Sequence, residues 1–433
     1  MRVSRIFPLL LISFLIVAAL AIPFPRTQAR AAIAPLDLTG EIDGAPYRIR
    51  VPENWNGTLL VFVHGYRDKA DHPGELDNRN ADVAPSAALE APLLAQGYAL
   101  AGSAWKENGW DVKDAMQDIK NLTIFFGDNV AKPERTILTA ASLGSIVAFK
   151  SMEQFGGIYD GALCLCGAGA GATSIWDSGV PLLLSYDIIF GMPALWGTVG
   201  EVRNDIDFDT EVLAKLVPEL SNIANFPKFE FMRLVSGNPG RGLMPPLPPG
   251  YYPNWVVTDL FFLTEARAEL QRRAGGPFVQ NLDQHYELTA AERAYLAGLG
   301  LPGPVVDAWL AQMNARRNID ADQSARNYVS HNNNYNGKVK HPVLTMHTIL
   351  DPLVVVANEH AYGDLVASVG REDQLFQTYT IGVGHCNFTG PQVLTAIGAI
   401  DLWLRTGVRP TAATFPAALG FNSAFVPPAP LQP

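Results

Sequence analysis

Arg135-Thr-Ile-Leu-Thr-Ala-Ala-Ser142-Leu-Gly-Ser-Ile-Val-Ala-Phe-Lys150 is the stretch that decides the fold. Arg135–Ala141 is apolar and β-rich, the composition of a strand buried on both faces. From Leu143 to Phe155 the residues turn helical, and Ser142 stands at the junction. A serine on such a strand-to-helix turn is pushed out at the C-terminal edge of the sheet. Small residues two before and two after it, here Ala140 and Gly144, let strand and helix approach closely. The helix also adds the partial positive charge of its N-terminus. The same residues suit a plain helix start with Ser142 as N-cap, so the surrounding chain has to separate the two readings.

Outward from this stretch the chain alternates strand and helix. Thr58–His64 and Tyr98–Ser103 read as earlier core strands, with helices near Ala84–Ala95 and over Lys113–Phe126. Asp160–Cys166 follows as the fourth core strand. Leu36–Ile42 and Arg48–Val51 suit an antiparallel hairpin ahead of them. The rhythm resumes at Pro342–His347, a helix near Asn358–Val369, the strand Leu375–Ile381 and a helix over Val393–Arg405. Such alternation predicts an α/β, mostly parallel, doubly wound sheet. Between Gly167 and His341 the texture changes, opening on GAGAGAT and crossing the proline-rich NPGRGLMPPLPPGYYP. Thr289-Ala-Ala-Glu292 reads as a capping box, and Asp209–Leu220, Val256–Arg273 and Val305–Arg317 read as helices. A structureless loop of that length is implausible in a compact domain. The expected organisation is a leader over 1–31, core over 32–166, an inserted mainly helical cap over 167–341, core over 342–407, and a Pro-rich tail over 408–433.

The 433 residues are 48% hydrophobic and 17% charged with a formal charge of -10, which excludes disordered and coiled-coil readings. The negative balance argues against nucleic acid or an anionic lipid surface as partner. Arg2 and Arg5, the apolar run Ile6–Ile22 and Ala29-Arg30-Ala31 have the order of a cleaved secretory signal. An exported protein, extracellular or periplasmic, with no stable membrane span after cleavage, is expected. Three cysteines, Cys164, Cys166 and Cys386, are too few for a disulfide scaffold.

Two further motifs follow core strands. His347-Thr-Ile-Leu-Asp351-Pro352 puts a carboxylate where it can accept a proton from a histidine ring and hold its tautomer. Ile381-Gly-Val-Gly-His385-Cys386 frees a histidine between glycines on a loop. Ser142, Asp351 and His385 thus appear in the order nucleophile, acid, base, each after a strand whose C-terminal end should converge with the others. His64-Gly65-Tyr66 after the first core strand supplies a Tyr66 N–H that can pair with the Leu143 N–H as an oxyanion hole.

With these motifs the chain resembles the α/β-hydrolases over most of residues 35–407 outside the cap. It is similar to secreted bacterial lipase-like, tannase-like or peptidase-like hydrolases that carry Gly-Trp-Asp-Val (here Gly109–Val112) and Gly-His-Cys-x-Phe-Thr (here Gly384–Thr389). The resemblance implies a serine hydrolase acting on carboxylic esters through a Ser142–His385–Asp351 triad and a covalent acyl-enzyme, with no metal or organic cofactor. The partner is then a small-molecule or polymeric ester. Tannases and feruloyl esterases bridge cysteines beside the serine and the histidine; here Ala141 precedes Ser142, so that bridge cannot form. Cys166 ends the neighbouring strand, and a Cys166–Cys386 disulfide is expected to pin the histidine loop instead, leaving Cys164 buried and free. Trp105 and Trp110, with cap aromatics including Trp176, Tyr252, Phe261 and Phe262, are candidates for an acyl or aryl pocket, or for core. Two rival readings stand: a peptidase of the prolyl aminopeptidase type, with Glu201, Asp205 and Asp207 as amine-binding candidates, and an inactive hydrolase fold used for binding.

Overall fold

Apolar runs with β-branched residues become the strands of one eight-stranded sheet in the computed structural model, which describes residues 34–430 apart from 73–74, 241, 244–246, 248–250 and 252–254. The expected leader and Tyr252 lie outside the described residues. β1 (Leu36–Ile42) and β2 (Ala45–Val51) form the hairpin, turning through Asp43 and Gly44 with φ of 50° and 89°, as a two-residue hairpin turn requires. β3 (Thr58–Val63), β4 (Ala99–Ser103), β5 (Arg135–Ala141), β6 (Gly161–Leu165), β7 (Val343–Leu350) and β8 (Leu375–Val383) complete the sheet. The spatial order is β1-β2-β4-β3-β5-β6-β7-β8, parallel from β4 to β8, with β2 antiparallel to its neighbours. The fold is that of the α/β-hydrolases.

Both faces of the sheet are covered, which is why its central strands are apolar on both sides. On β3, Leu59, Val61 and Val63 face one core and Leu60 the other. Helices α1 (Ala87–Ala95) and α13 (Gly390–Thr406) close the Leu60 side with Leu89, Leu93, Ile397 and Trp403. The other side is closed by α2 (Val112–Asn129), α3 (Leu143–Gln154) and α12 (Ala357–Ser368), through Ile119, Phe126, Ile146, Phe149 and Tyr362.

The segment between β6 and β7 is helical: α4 (Ala172–Phe190), α5 (Leu213–Ser221), α6 (Phe226–Val235), α7 (Trp255–Phe261), α8 (Arg267–Ala274), α9 (Ala290–Gly298), α10 (Gly303–Ala315) and α11 (Gln323–Asn333). Thr289 and Glu292 form the capping box that opens α9. None of the described helices is long and apolar enough to cross a membrane.

Residues 409–421 pack along the edge of β8. Arg409 bonds to Leu375 O, Phe415 stacks on Phe376 at 5.4 Å, and Ile381 N–H donates to Gly420 O at 3.0 Å. Phe421 bridges Thr380. This covers the edge of β8, whose unpaired N–H and C=O groups would otherwise be open to other chains.

Candidate active site

β5 delivers Ser142 into the conformation the sequence motif demands. Its φ of 54° and ψ of -123° lie in a region that non-glycine residues rarely occupy. Ser142 N–H donates to Leu165 O at 2.9 Å, which ties the turn to β6. A Cβ on Gly144 would lie 2.2 Å from Val63 O, so only glycine permits this approach of α3 to β3. Ala140, where a glycine is usual, is fully buried in the core. The side chain of Ser142 makes no cap bond to α3. Its Oγ instead lies 2.8 Å from His385 Nε2.

β8 ends at Val383, and Gly384, with φ of 107°, turns the chain so that His385 faces the serine. Gly384 N–H is anchored on Leu350 O at 2.9 Å, and Thr389 caps α13 beyond it. His385 Nδ1 is 2.7 Å from Asp351 Oδ2. Asp351 follows β7 directly and is fully buried; its Oδ1 accepts the N–H groups of Leu353 and Val354 at 2.9 and 3.0 Å. Burial would raise its pKa, but the His385 and His347 rings and the hydrogen bonds they make hold it below the ordinary carboxylate range. Ser142, His385 and Asp351 therefore form one hydrogen-bonded chain. A methyl on Gly65 would come within 3.1 Å of Ser142 Cβ, so the main chain leading to Tyr66 passes beside the serine. The Tyr66 and Leu143 amides thus belong to the two segments that flank Oγ.

Cys166 and Cys386 are bonded, with Cα atoms 5.3 Å apart, and Cys164 is a buried free thiol. Cys386 Sγ is 3.5 Å from His385 Nε2. Cys166, His385 and Cys386 cluster in the manner of metal ligands. Both sulfurs, however, are spent in the disulfide, and a metal-ligating cysteine must be a thiolate.

A cavity of about 450 Å³ opens at Ser142 between the sheet edge and the inserted helices. Its aromatic wall is Tyr66, Trp110, Trp176 and Phe262, linked by ring contacts of 6.3, 4.9, 6.5 and 5.2 Å. Trp110 is therefore at the cavity. Trp105 is not: its ring is buried against His64 at 3.8 Å, and it lines core rather than pocket. Burial also lowers the His64 pKa to about 3, so this histidine is a neutral structural ring. The Gly109–Val112 segment fixes cavity to core. Trp110 N–H donates to Glu269 on α8, Asp111 pairs with Arg273, and a Cβ on Gly109 would lie 2.5 Å from Glu269 Oε1.

The three acids named for an amine site lie elsewhere. Glu201 and Asp205 are exposed, Asp205 on Arg203 at 2.6 Å, and Asp207 caps Thr210 N–H. The cavity's own acids include Asp177, which Arg326 engages at 2.7 Å, and Asp259. Asp259 is half-buried, and burial together with the neighbouring Asp351 charge pushes its pKa well above the ordinary carboxylate value. Asn238 Nδ2 donates to it at 3.1 Å and also reaches Pro352 O, joining the insert to the acid loop. No sequence spacing links Asn238, Asp259 and Asp351, which meet only through the fold.

No protein-family model matches the chain. The o-phthalyl amidase of Xanthobacter agilis is 24% identical over 421 residues, covering 85% of this chain and 87% of that protein. Among solved structures, feruloyl esterase B from Aspergillus oryzae is 15% identical, with a TM-score of 0.42 over 87% of this chain and 80% of that one. The esterase RhEst1 from Rhodococcus sp. ECU1013 is 16% identical, with a TM-score of 0.37 over 86% and 99%. The strand order, rather than these distant likenesses, carries the fold.

Proposed function

We propose that this protein is an exported serine hydrolase that cleaves carboxylic esters, with Ser142 as nucleophile, His385 as base and Asp351 as the group that orients His385. The observation that carries the reading is the unbroken Ser142–His385–Asp351 hydrogen-bond chain, built on a strained turn and opening into a cavity. His385 Nε2 takes the Oγ proton as Oγ attacks the carbonyl carbon, a step typically worth about 10²–10⁴-fold. Tyr66 and Leu143 N–H groups receive the oxyanion, each worth about 3 kcal/mol. His385 returns the proton to the leaving group; water then enters, and the acyl-enzyme is hydrolysed. Export rests on the N-terminal pattern, and the Cys166–Cys386 disulfide accords with an oxidising compartment.

The wall of Tyr66, Trp110, Trp176 and Phe262 favours an aryl group on the acyl or leaving side. A second reading, cleavage of aryl amides, is favoured by the similarity to an o-phthalyl amidase along most of both chains. Hydrolysis of p-nitrophenyl esters from C2 to C16, and of benzoyl esters beside benzoyl anilides, tests both. Loss of at least roughly 10³-fold in Ser142→Ala is expected. Unchanged activity in that variant would remove Ser142 as nucleophile, and turnover of anilides alone would favour the amidase reading.

A further inference from the structure

Behind the proposed triad lies a second histidine that the reaction as written does not use. His347, on β7, is fully buried, and both its ring nitrogens face oxygen acceptors. Nε2 is 2.7 Å from Val354 O, and the same nitrogen is 3.5 Å from Asp351 Oδ2. Nδ1 is 3.2 Å from Glu359 Oε1, on α12. A carbonyl has no proton to give, so Nε2 carries one. Glu359 in turn accepts on Oε2 from Thr345 Oγ1 and from Gln377 Nε2, which is how a carboxylate, not a carboxylic acid, is satisfied. Nδ1 is then also a donor.

We infer that His347 is a permanently charged positioning residue: a buried imidazolium that holds the carboxylates of Asp351 and Glu359 together and keeps Asp351 ionised for His385. This rests on the triad reading of Asp351. Two rings share one oxygen, since Asp351 Oδ2 faces His385 Nδ1 at 2.7 Å and His347 Nε2 at 3.5 Å. Val354 closes the ring of contacts by donating to Asp351 Oδ1 and accepting from His347. Burial alone would discharge His347, but Asp351 and Glu359 outweigh it and raise its pKa to about 10.

The other titratable groups packed against the cluster are shifted toward their neutral forms. On α7, burial and Asp351 push the Asp259 carboxyl up. Burial raises the Cys164 thiol on β6 and the phenols of Tyr362 on α12, Tyr379 on β8, Tyr335 and Tyr251. Lys150 and Glu153 lie further out on α3, and Arg233 and Glu230 pair on α6 beyond Tyr251. The cluster thus carries two carboxylates and one fixed cation.

Removing the cation has a definite sign. In His347→Gln two buried carboxylates are left uncompensated, and their added negative charge, through Asp351 Oδ2 at 2.7 Å, strengthens the hold of His385 on its proton. The base is then ready only at higher pH. The acid limb of kcat/KM is expected to move up by about one unit, the scale of a neighbouring buried charge. In His347→Gln/Glu359→Gln one carboxylate remains, as in the wild type's net charge, and the limb returns to within a few tenths. A purely steric role for His347 predicts no return.

Ring-¹⁵N-histidine NMR of the unmodified protein reads the same claim without activity. One imidazolium is expected to persist at pH 8.5 and to be missing from the double variant. No protonated ring at pH 8.5, or an acid limb unmoved in His347→Gln, would overturn the inference. Should that single variant fail to fold, the double variant and the NMR signal still decide it. Failure of the triad reading looks different: a fluorophosphonate would then leave wild-type Ser142 unlabelled whatever the NMR shows.

Discussion

Replacing both partners of the disulfide, Cys166→Ala/Cys386→Ala, attacks the base rather than the nucleophile. The bridge closes a loop of 220 residues between the end of β6 and the histidine loop. In the chain-entropy model a loop of that length is worth about 5 kcal/mol of stability. The loss should register in full only if the loop stays where it is. Cys166 and Cys386 have φ of 46° and 52°, and such strained residues persist only where their surroundings over-determine them. Once unbridged, both relax, and the net loss of stability should fall to about 2–4 kcal/mol. Activity should suffer more than stability, because His385 is bonded directly to Cys386. A displacement of about 1 Å in a catalytic group costs roughly 10²-fold in rate. The assay is denaturant unfolding beside kcat for p-nitrophenyl acetate, with Cys164→Ala as the control for losing a buried thiol. Denatured wild type without reductant should titrate one thiol, that of Cys164. Three thiols would remove the bridge. A double variant within about 1 kcal/mol and twofold of wild type would refute the claim that the bridge holds His385.

Other consequences follow from particular contacts. Gly144→Ala puts a Cβ on Val63 O, so it should lower the folded yield or stability by several kcal/mol, read by thermal unfolding, and reduce labelling of Ser142. Glu265, three residues after Phe262 in the inserted segment, accepts Phe208 N–H at 2.5 Å, and burial together with Asp68 raises its pKa from 4.5 to about 8. A raised carboxyl stabilises the fold fully below its unfolded value and ceases to do so as pH climbs through its folded one. The melting temperature should therefore fall as pH rises from about 4.5 to about 8 and level off above, and Glu265→Gln should flatten that fall; an identical profile in the variant would assign the loss elsewhere.

The core was legible because its signals are local. Buried parallel strands leave apolar runs, and the turn at Ser142 leaves small residues at fixed offsets. The hairpin, the boundaries of β5 and the capping box at Thr289 needed no long-range information. α4 was not legible: Ala172–Phe190 is apolar almost throughout and holds Gly179 and Pro181, so no amphipathic stripe marks it. α11 is the reverse, polar and asparagine-rich, and it is held by packing against α4 and α8 rather than by propensity. Asp351 and His385 were legible as loop residues after strands. The contacts of His347 were not, although it stands in the same motif, because its partner Glu359 comes from the next helix. Trp105 reads from the sequence as a candidate for pocket or for core, and its φ of 60° belongs to a turn that leaves the ring on His64, in the core.

The strand ends are joined to one another independently of the inserted helices. Ser142 N–H donates to Leu165 O, Cys166 N–H to Met346 O, and Gly384 N–H to Leu350 O, so β5, β6, β7 and β8 are linked in series at the edge where the triad sits. Residues that line the cavity, by contrast, come largely from the insert. A change in the insert is therefore expected to alter what binds and to leave Ser142, His385 and Asp351 in place. Trp176→Leu removes an aromatic wall that contacts Trp110 at 4.9 Å and touches no member of the triad. Truncating a pocket aromatic forfeits its burial and ring contacts, about 1–3 kcal/mol. KM for an aryl ester should then rise about 10- to 100-fold, while kcat for ethyl acetate, which carries no ring on either side of the ester bond, stays within a few-fold. Equal losses of kcat on both substrates would mean that the inserted helices hold the triad itself, and the sheet edge alone would no longer account for the site.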